Sequence, residues 1–121
     1  MQTATRDIKA YKVFVGTNSH NSSPYQSFRW GRLFVGKILR SGAFDEQDTI
    51  CADGVHASRL RYDAGIIRNF TEEECVIWAV VIPKGTRYYK STVKESQLKM
   101  DGNSKGEQYR AEKVKLVRQV K

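Results

Sequence analysis

A strand-rich α+β domain with one clear helix is the fold class this sequence predicts, and three observations predict it. Cys75-Val76-Ile77-Trp78-Ala79-Val80-Val81-Ile82 is an unbroken apolar run rich in β-branched residues, the pattern of a central strand buried on both faces. A period of two runs through Ile8–Val15 and again through Val114, Leu116, Arg118 and Val120. Helical spacing is clear only at Leu60, Ala64 and Ile67. At 121 residues the chain is long enough for one hydrophobic core and reads as a single domain over 1–121.

In chain order, Ile8 to Val15 reads as a half-buried strand, with Tyr11, Val13 and Val15 on one side and Lys12 and Phe14 on the other. Gly16 to Pro24 follows as a loop, because Asn18, Ser19, Asn21, Ser22 and Ser23 bond their own backbone too readily for a regular element. Leu33 to Leu39 is apolar up to the Ser41-Gly42 turn, and periodicity does not decide between a strand and a short helix. Asp53-Gly54 is a turn signal before the short stretch Val55-His56-Ala57. Ser58 is placed to cap the helix, and Gly65 weakens that helix by about 1 kcal/mol relative to Ala. Thr71 to Glu74 separates it from the apolar run, which Pro83-Lys84-Gly85 closes. Thr86–Lys90 is a return strand, Asp101 to Gly106 a flexible loop, and Gln108–Val120 the terminal strand.

Composition excludes several classes of function. The chain carries 40% hydrophobic and 11% aromatic residues, enough for a packed core rather than disorder. Its longest apolar run, eight residues, is far shorter than the roughly 20 that a membrane-crossing helix needs. Met1–Asp7 holds no apolar stretch of signal-peptide length, so a cytoplasmic location and no membrane partner are expected. Cys51 and Cys75 form neither a disulfide framework nor a C-x-x-C pair and read as reduced thiols, Cys75 buried in a strand. His20 and His56 lie far apart without neighbouring acidic ligands, so no metal is expected, and no P-loop or dinucleotide glycine pattern is present. Glu72 to Glu74 reads as a solvated turn.

Charge is unevenly placed. Of 21 Lys and Arg and 13 Asp and Glu, residues 1–83 hold ten and nine, whereas residues 84–121 hold eleven and four. The C-terminal third thus carries +7 of the +8 total and favours an anionic partner: a nucleotide, nucleic acid or an acidic protein surface. Arg87, Lys90, Arg110, Lys113 and Lys115 are the candidate anion-binding residues, interleaved with Tyr88, Tyr89 and Tyr109 on which bases could stack. His56, after the Asp53-Gly54 corner, is placed to face a cleft and titrate near neutrality.

Segment order carries a resemblance. Val13-Phe14-Val15-Gly16-Thr17 with Asn18 and Asn21, then Phe34 to Gly42, then Asp53–Ser58 with Ala64, Ile77 to Gly85, and finally Gly106-Glu107-Gln108-Tyr109 with Val114–Val120, resemble in order the segments of ADP-ribosyltransferase domains of the poly(ADP-ribose) polymerase type. The resemblance implies a split sheet, NAD or an ADP-ribose derivative as ligand, and a cofactor site built from Gly16, Thr17, Asn18 and His56. It further implies Glu107, with His56, as the catalytic pair, the carboxylate stabilising positive charge as a glycosidic bond opens. Val15 stands where that family has a ribose-holding His, and His56 where it has a nicotinamide-stacking Tyr.

A second resemblance runs through Phe28 to Gly36, Cys51 to Ala57, Ala64 and Tyr109-Arg110-Ala111, which are similar to small domains encoded by phages and mobile elements with a G-F-H-A-like signature. Here Val55 replaces the aromatic. That resemblance carries no activity; it implies a viral or mobile-element origin, host-cell cytoplasm, and a protein that binds a host component or sequesters a nucleotide signal. Two functions are therefore expected of the chain. One is an ADP-ribosyltransferase-like domain that binds an anionic nucleotide, with or without turnover. The alternative is a non-enzymatic basic protein that docks on nucleic acid, or on a nucleic-acid-binding host defence protein that it inhibits.

Overall fold

A computed structural model of the protein describes residues 1–24, 26–50, 53–69, 71, 73–91 and 106–120, with the backbone alone at 26–28. Cys51, Glu72, the Phe28 side chain and residues 101–105 of the glycine-punctuated loop lie outside the described residues. The elements are β1 (Gln2–Thr3), β2 (Ile8–Gly16), β3 (Asn21–Ser23), β4 (Gln26–Arg29), β5 (Ile38–Arg40), β6 (Val55–Ser58), α1 (Arg61–Asn69), β7 (Cys75–Ile82), β8 (Arg87–Lys90), β9 (Gln108–Ala111) and β10 (Lys113–Val120). The α+β class, strand-rich with one helix among the described residues, is as the sequence predicts. No described helix is long and apolar enough to cross a membrane.

Eight strands lie on one hydrogen-bonded path, β1-β8-β9-β6-β2-β7-β10-β5, with every neighbouring pair antiparallel; β3 and β4 form a hairpin beside the end of β2. Laid flat, eight strands would span roughly 34 Å. Yet Ala4 next to β1, Leu39 of β5 and residues from the strands between them share one buried cluster with Phe14, Trp78, Val80, Tyr109 and Leu116. The sheet is therefore curled around a single core. Glu112 fastens the curl: its N–H donates to the Arg87 carbonyl at 3.0 Å, and its own carbonyl accepts the Ser41 N–H at 3.2 Å. The terminal segment read as one strand is two, bent at Glu112 and lying at distant positions in the strand order.

The outer face carries a smaller cluster, in which Ala64 and Ile67 of α1 cover Val13, Ile77 and Val120. Because α1 has only nine residues, it covers only part of the face. Ala79 and Val81 of β7 are left half-exposed, so the strand expected to be buried on both faces is so only in part. Ser58 is not the helix cap. It ends β6, its hydroxyl donates to Gln108 Oε1 at 3.0 Å, and the first helical bond goes from the Ala64 N–H to Leu60 O. Leu33–Leu39 is mostly a loop: Leu33 is buried, Phe34 and Val35 are exposed, and strand structure begins only at Ile38.

Candidate functional site

The residues implied by the ADP-ribosyltransferase resemblance do not converge. Gly16, Thr17 and Asn18 sit at the end of β2, where Gly16 takes φ +110° and its N–H bonds the Glu74 carbonyl. A Cβ at Gly16 would lie 2.1 Å from the His20 carbonyl oxygen, which explains the glycine by the turn itself. Thr17 Oγ1 accepts the N–H groups of Ser19 and His20, and the Asn18 side chain joins Trp78 Nε1 at 3.0 Å to Gln119 Oε1 at 2.7 Å. Glu107 lies at the far end of the sheet: its carbonyl accepts the N–H of Arg59, one residue beyond the Tyr11↔Ser58 bridge and so level with Ala10. Six residues of strand, about 20 Å, separate that level from Gly16.

His56 and Glu107 also occupy opposite faces of the β6–β9 ladder. His56 pairs with Arg110, whereas Glu107 shares the parity of Tyr109, which points into the core. The Glu107 carboxylate forms ion pairs with Arg59 and, at 3.5 Å, with Lys90. Burial pushes its pKa up, but the two cations outweigh that and hold it below the ordinary glutamate value. Nε2 of His56 donates to the Ile50 carbonyl at 2.7 Å, and burial lowers its pKa, so the ring is neutral at pH 7. Both residues are already committed to structural partners.

Two buried cations explain this part of the fold. Arg110, fully buried, spreads its guanidinium among the carbonyls of Thr49, Asp45, Asp53 and Gln47 at 2.5–2.9 Å and lies against the rings of Phe44 and Tyr89. It clamps residues 45–49 and Asp53 and is not a surface anion ligand. Lys12, only 1% exposed, fills the gap where β2 and β6 share a single register pair. Its Nζ donates to the His56 carbonyl at 2.9 Å and to Ser23 Oγ at 3.1 Å, and lies within 5.5 Å of the Phe14 and Trp30 ring centroids. No carboxylate balances it among the described residues, and burial pushes its pKa down to about 7.

The other anion-binding candidates divide in two. Arg87 is ion-paired with Glu46 and Glu112, and Lys90 with Glu107. Lys113 and Lys115 stand on the outer face of β10, and register places three further cations beside them. Arg40 lies opposite Lys113; Ile38, Lys115, Val81 and Lys9 form the next row across β5, β10, β7 and β2; Arg118, Ala79 and Tyr11 form the third. With strands ~4.8 Å apart and rows about 7 Å apart, the five charges cover a patch roughly 14 Å on a side. Among the described residues none of the five forms an ion pair. Asp7, two residues before Lys9, accepts the backbone N–H of Lys84 at 2.9 Å, and Glu112, next to Lys113, is ion-paired with Arg87.

Sequence reasoning missed Lys9, Arg40 and Arg118. Lys9 and Arg40 lie far from the charged C-terminal third in sequence, and only strand register brings them to it. Arg118 shares a two-residue period with Val114 and Leu116, but a bulge between Leu116 and Arg118 turns it outward. No group of three or more His, Cys, Asp and Glu among the described residues could hold a metal ion. No family model, curated protein or solved structure matches the chain.

Proposed function

We propose that the protein is a non-enzymatic nucleic-acid-binding domain that uses the outer face of β2, β7, β10 and β5. The observation that carries this reading is the set Lys9, Arg40, Lys113, Lys115 and Arg118, five cations in three register rows with no ion-pair partner among the described residues. Cations left unpaired on one face sum into a field that attracts a polyanion, and each phosphate they neutralise releases a condensed counterion. Half-exposed Tyr11, Ala79 and Val81 between them give the face an apolar floor.

An ADP-ribosyltransferase-like reading, with a split sheet and an NAD or ADP-ribose ligand, has less support. It needs His56, Glu107 and the Gly16–Asn18 backbone around one hollow, and the partners of those residues are the protein's own carbonyls and side chains.

Two paired charge reversals test the proposal. Lys113→Glu with Lys115→Glu should lower affinity for a labelled oligonucleotide at least tenfold. Arg87→Glu with Lys90→Glu, which alters residues already ion-paired, should change it much less. Equal losses from both pairs would mean that the effect follows net charge alone and would remove the assignment to this face.

A further inference from the structure

Of the large apolar side chains left exposed among the described residues, Ile38 pairs in register with Lys115 two positions before Arg40, Val117 stands in the β10 bulge, Phe34 and Val35 belong to the turn that leads into β5, and Met1 and Tyr62 stand apart. That turn is Phe34–Lys37. The Lys37 N–H closes it on the Phe34 carbonyl at 3.1 Å, and Gly36 supplies φ +90° at its third position, as a type II turn requires. Backbone bonds from Gly36 N to Leu116 O and from Leu116 N to Lys37 O, both 2.8 Å, fasten the turn to β10 next to Val117. Lys37 Nζ secures it from the other side, donating to the carbonyls of Trp30 and Arg32, and lies 5.7 Å from the Phe34 ring centroid. Phe34, 52% exposed, is thus held on a fixed turn at the β5 edge of the sheet, with the Lys37 ammonium beside its ring.

We infer that the polyanion this face takes is single-stranded nucleic acid, its phosphates along the cation rows and an unstacked base on the Phe34 ring. The inference rests on the reading of the basic face given above and adds a strand preference to it. A duplex keeps its bases stacked on each other and would gain nothing from the exposed ring. A single strand offers the base faces that aromatic rings bind without regard to sequence. Charge complementarity selects a phosphate polymer, and the fixed turn means that little side-chain or loop ordering opposes binding.

The test measures fluorescence anisotropy of a labelled oligothymidine and of a duplex hairpin with the intact protein and two variants. The wild type should prefer the single strand. Phe34→Ala should weaken oligothymidine binding by about 5- to 150-fold, the range that base–aromatic stacking spans, with duplex affinity and thermal midpoint little changed, and Phe34→Trp should keep the preference. If Phe34→Ala leaves the ratio of single-strand to duplex affinity unchanged while the Lys113/Lys115 reversal still abolishes binding, the base platform is refuted and the basic face stands. If neither nucleic acid binds, or the reversal has no effect, both fail. If Phe34→Ala abolishes association with phosphatidylserine vesicles but not with oligothymidine, the turn serves lipid and the inference is overturned.

Discussion

Lys12 is the residue at which the fold's chemistry is most exposed to measurement. In the unfolded chain its amine has the ordinary value of 10.5; in the folded protein burial brings it to about 7. Between those values the unfolded chain holds a proton that the folded chain lacks, so stability is highest above about 10.5, falls as pH drops through the window, and levels off below about 7. At 1.36 kcal/mol per unit the effect is on the order of 4–5 kcal/mol. Thermal unfolding between pH 7 and pH 10 should therefore show a midpoint that rises with pH, and Lys12→Met, which removes the buried charge, should flatten the profile and raise the midpoint at pH 7. A wild-type midpoint independent of pH would contradict the burial of an uncompensated amine. Arg110 is the opposite case, buried but well partnered. Replacing it with Lys removes the fork that serves four carbonyls and should cost roughly 3 kcal/mol or more, visible as faster hydrogen exchange in residues 43–50.

The loop and strands around those residues carry their own consequences. A Cβ on Gly54 would sit 2.5 Å from Arg110 Cγ and 3.3 Å from the Ala111 carbonyl oxygen, so Gly54→Ala should loosen the same loop through its packing against the Arg110 stem. Unchanged protease sensitivity of residues 43–50 in Gly54→Ala would argue against the clamp. Much at this scale could be read in the sequence: β2, the apolar run of β7, the Asp53-Gly54 corner and the helix with Ala64 and Ile67 all come from local periodicity and turn chemistry. Local spacing puts the helix cap at Ser58, but its hydroxyl bonds Gln108, fifty positions away. Alternation puts Lys12 beside Phe14 on one side of β2, yet nothing local shows that this side becomes the core.

At the scale of the whole molecule, the C-terminal excess of positive charge favours an anionic partner but does not single out the surface proposed to take it. Charge counted along the chain treats Arg87, Lys90, Arg110, Lys113 and Lys115 alike. Folding pairs the first two with Glu46, Glu112 and Glu107, buries the third, and leaves only the last two without an ion pair among the described residues. It also brings Lys9 and Arg40 from distant sequence to join them, and the β10 bulge adds Arg118. Pairings that span the chain are what a single sequence conceals, since strand order follows from the closure of the sheet and not from neighbouring residues. The salt dependence of oligothymidine affinity tests the resulting surface most directly. Five contacts at about −0.7 each predict a slope of log affinity against log salt near −3.5, made shallower by roughly 1.4 or more in the Lys113/Lys115 reversal; a slope near zero, or one that the reversal leaves unchanged, would contradict it.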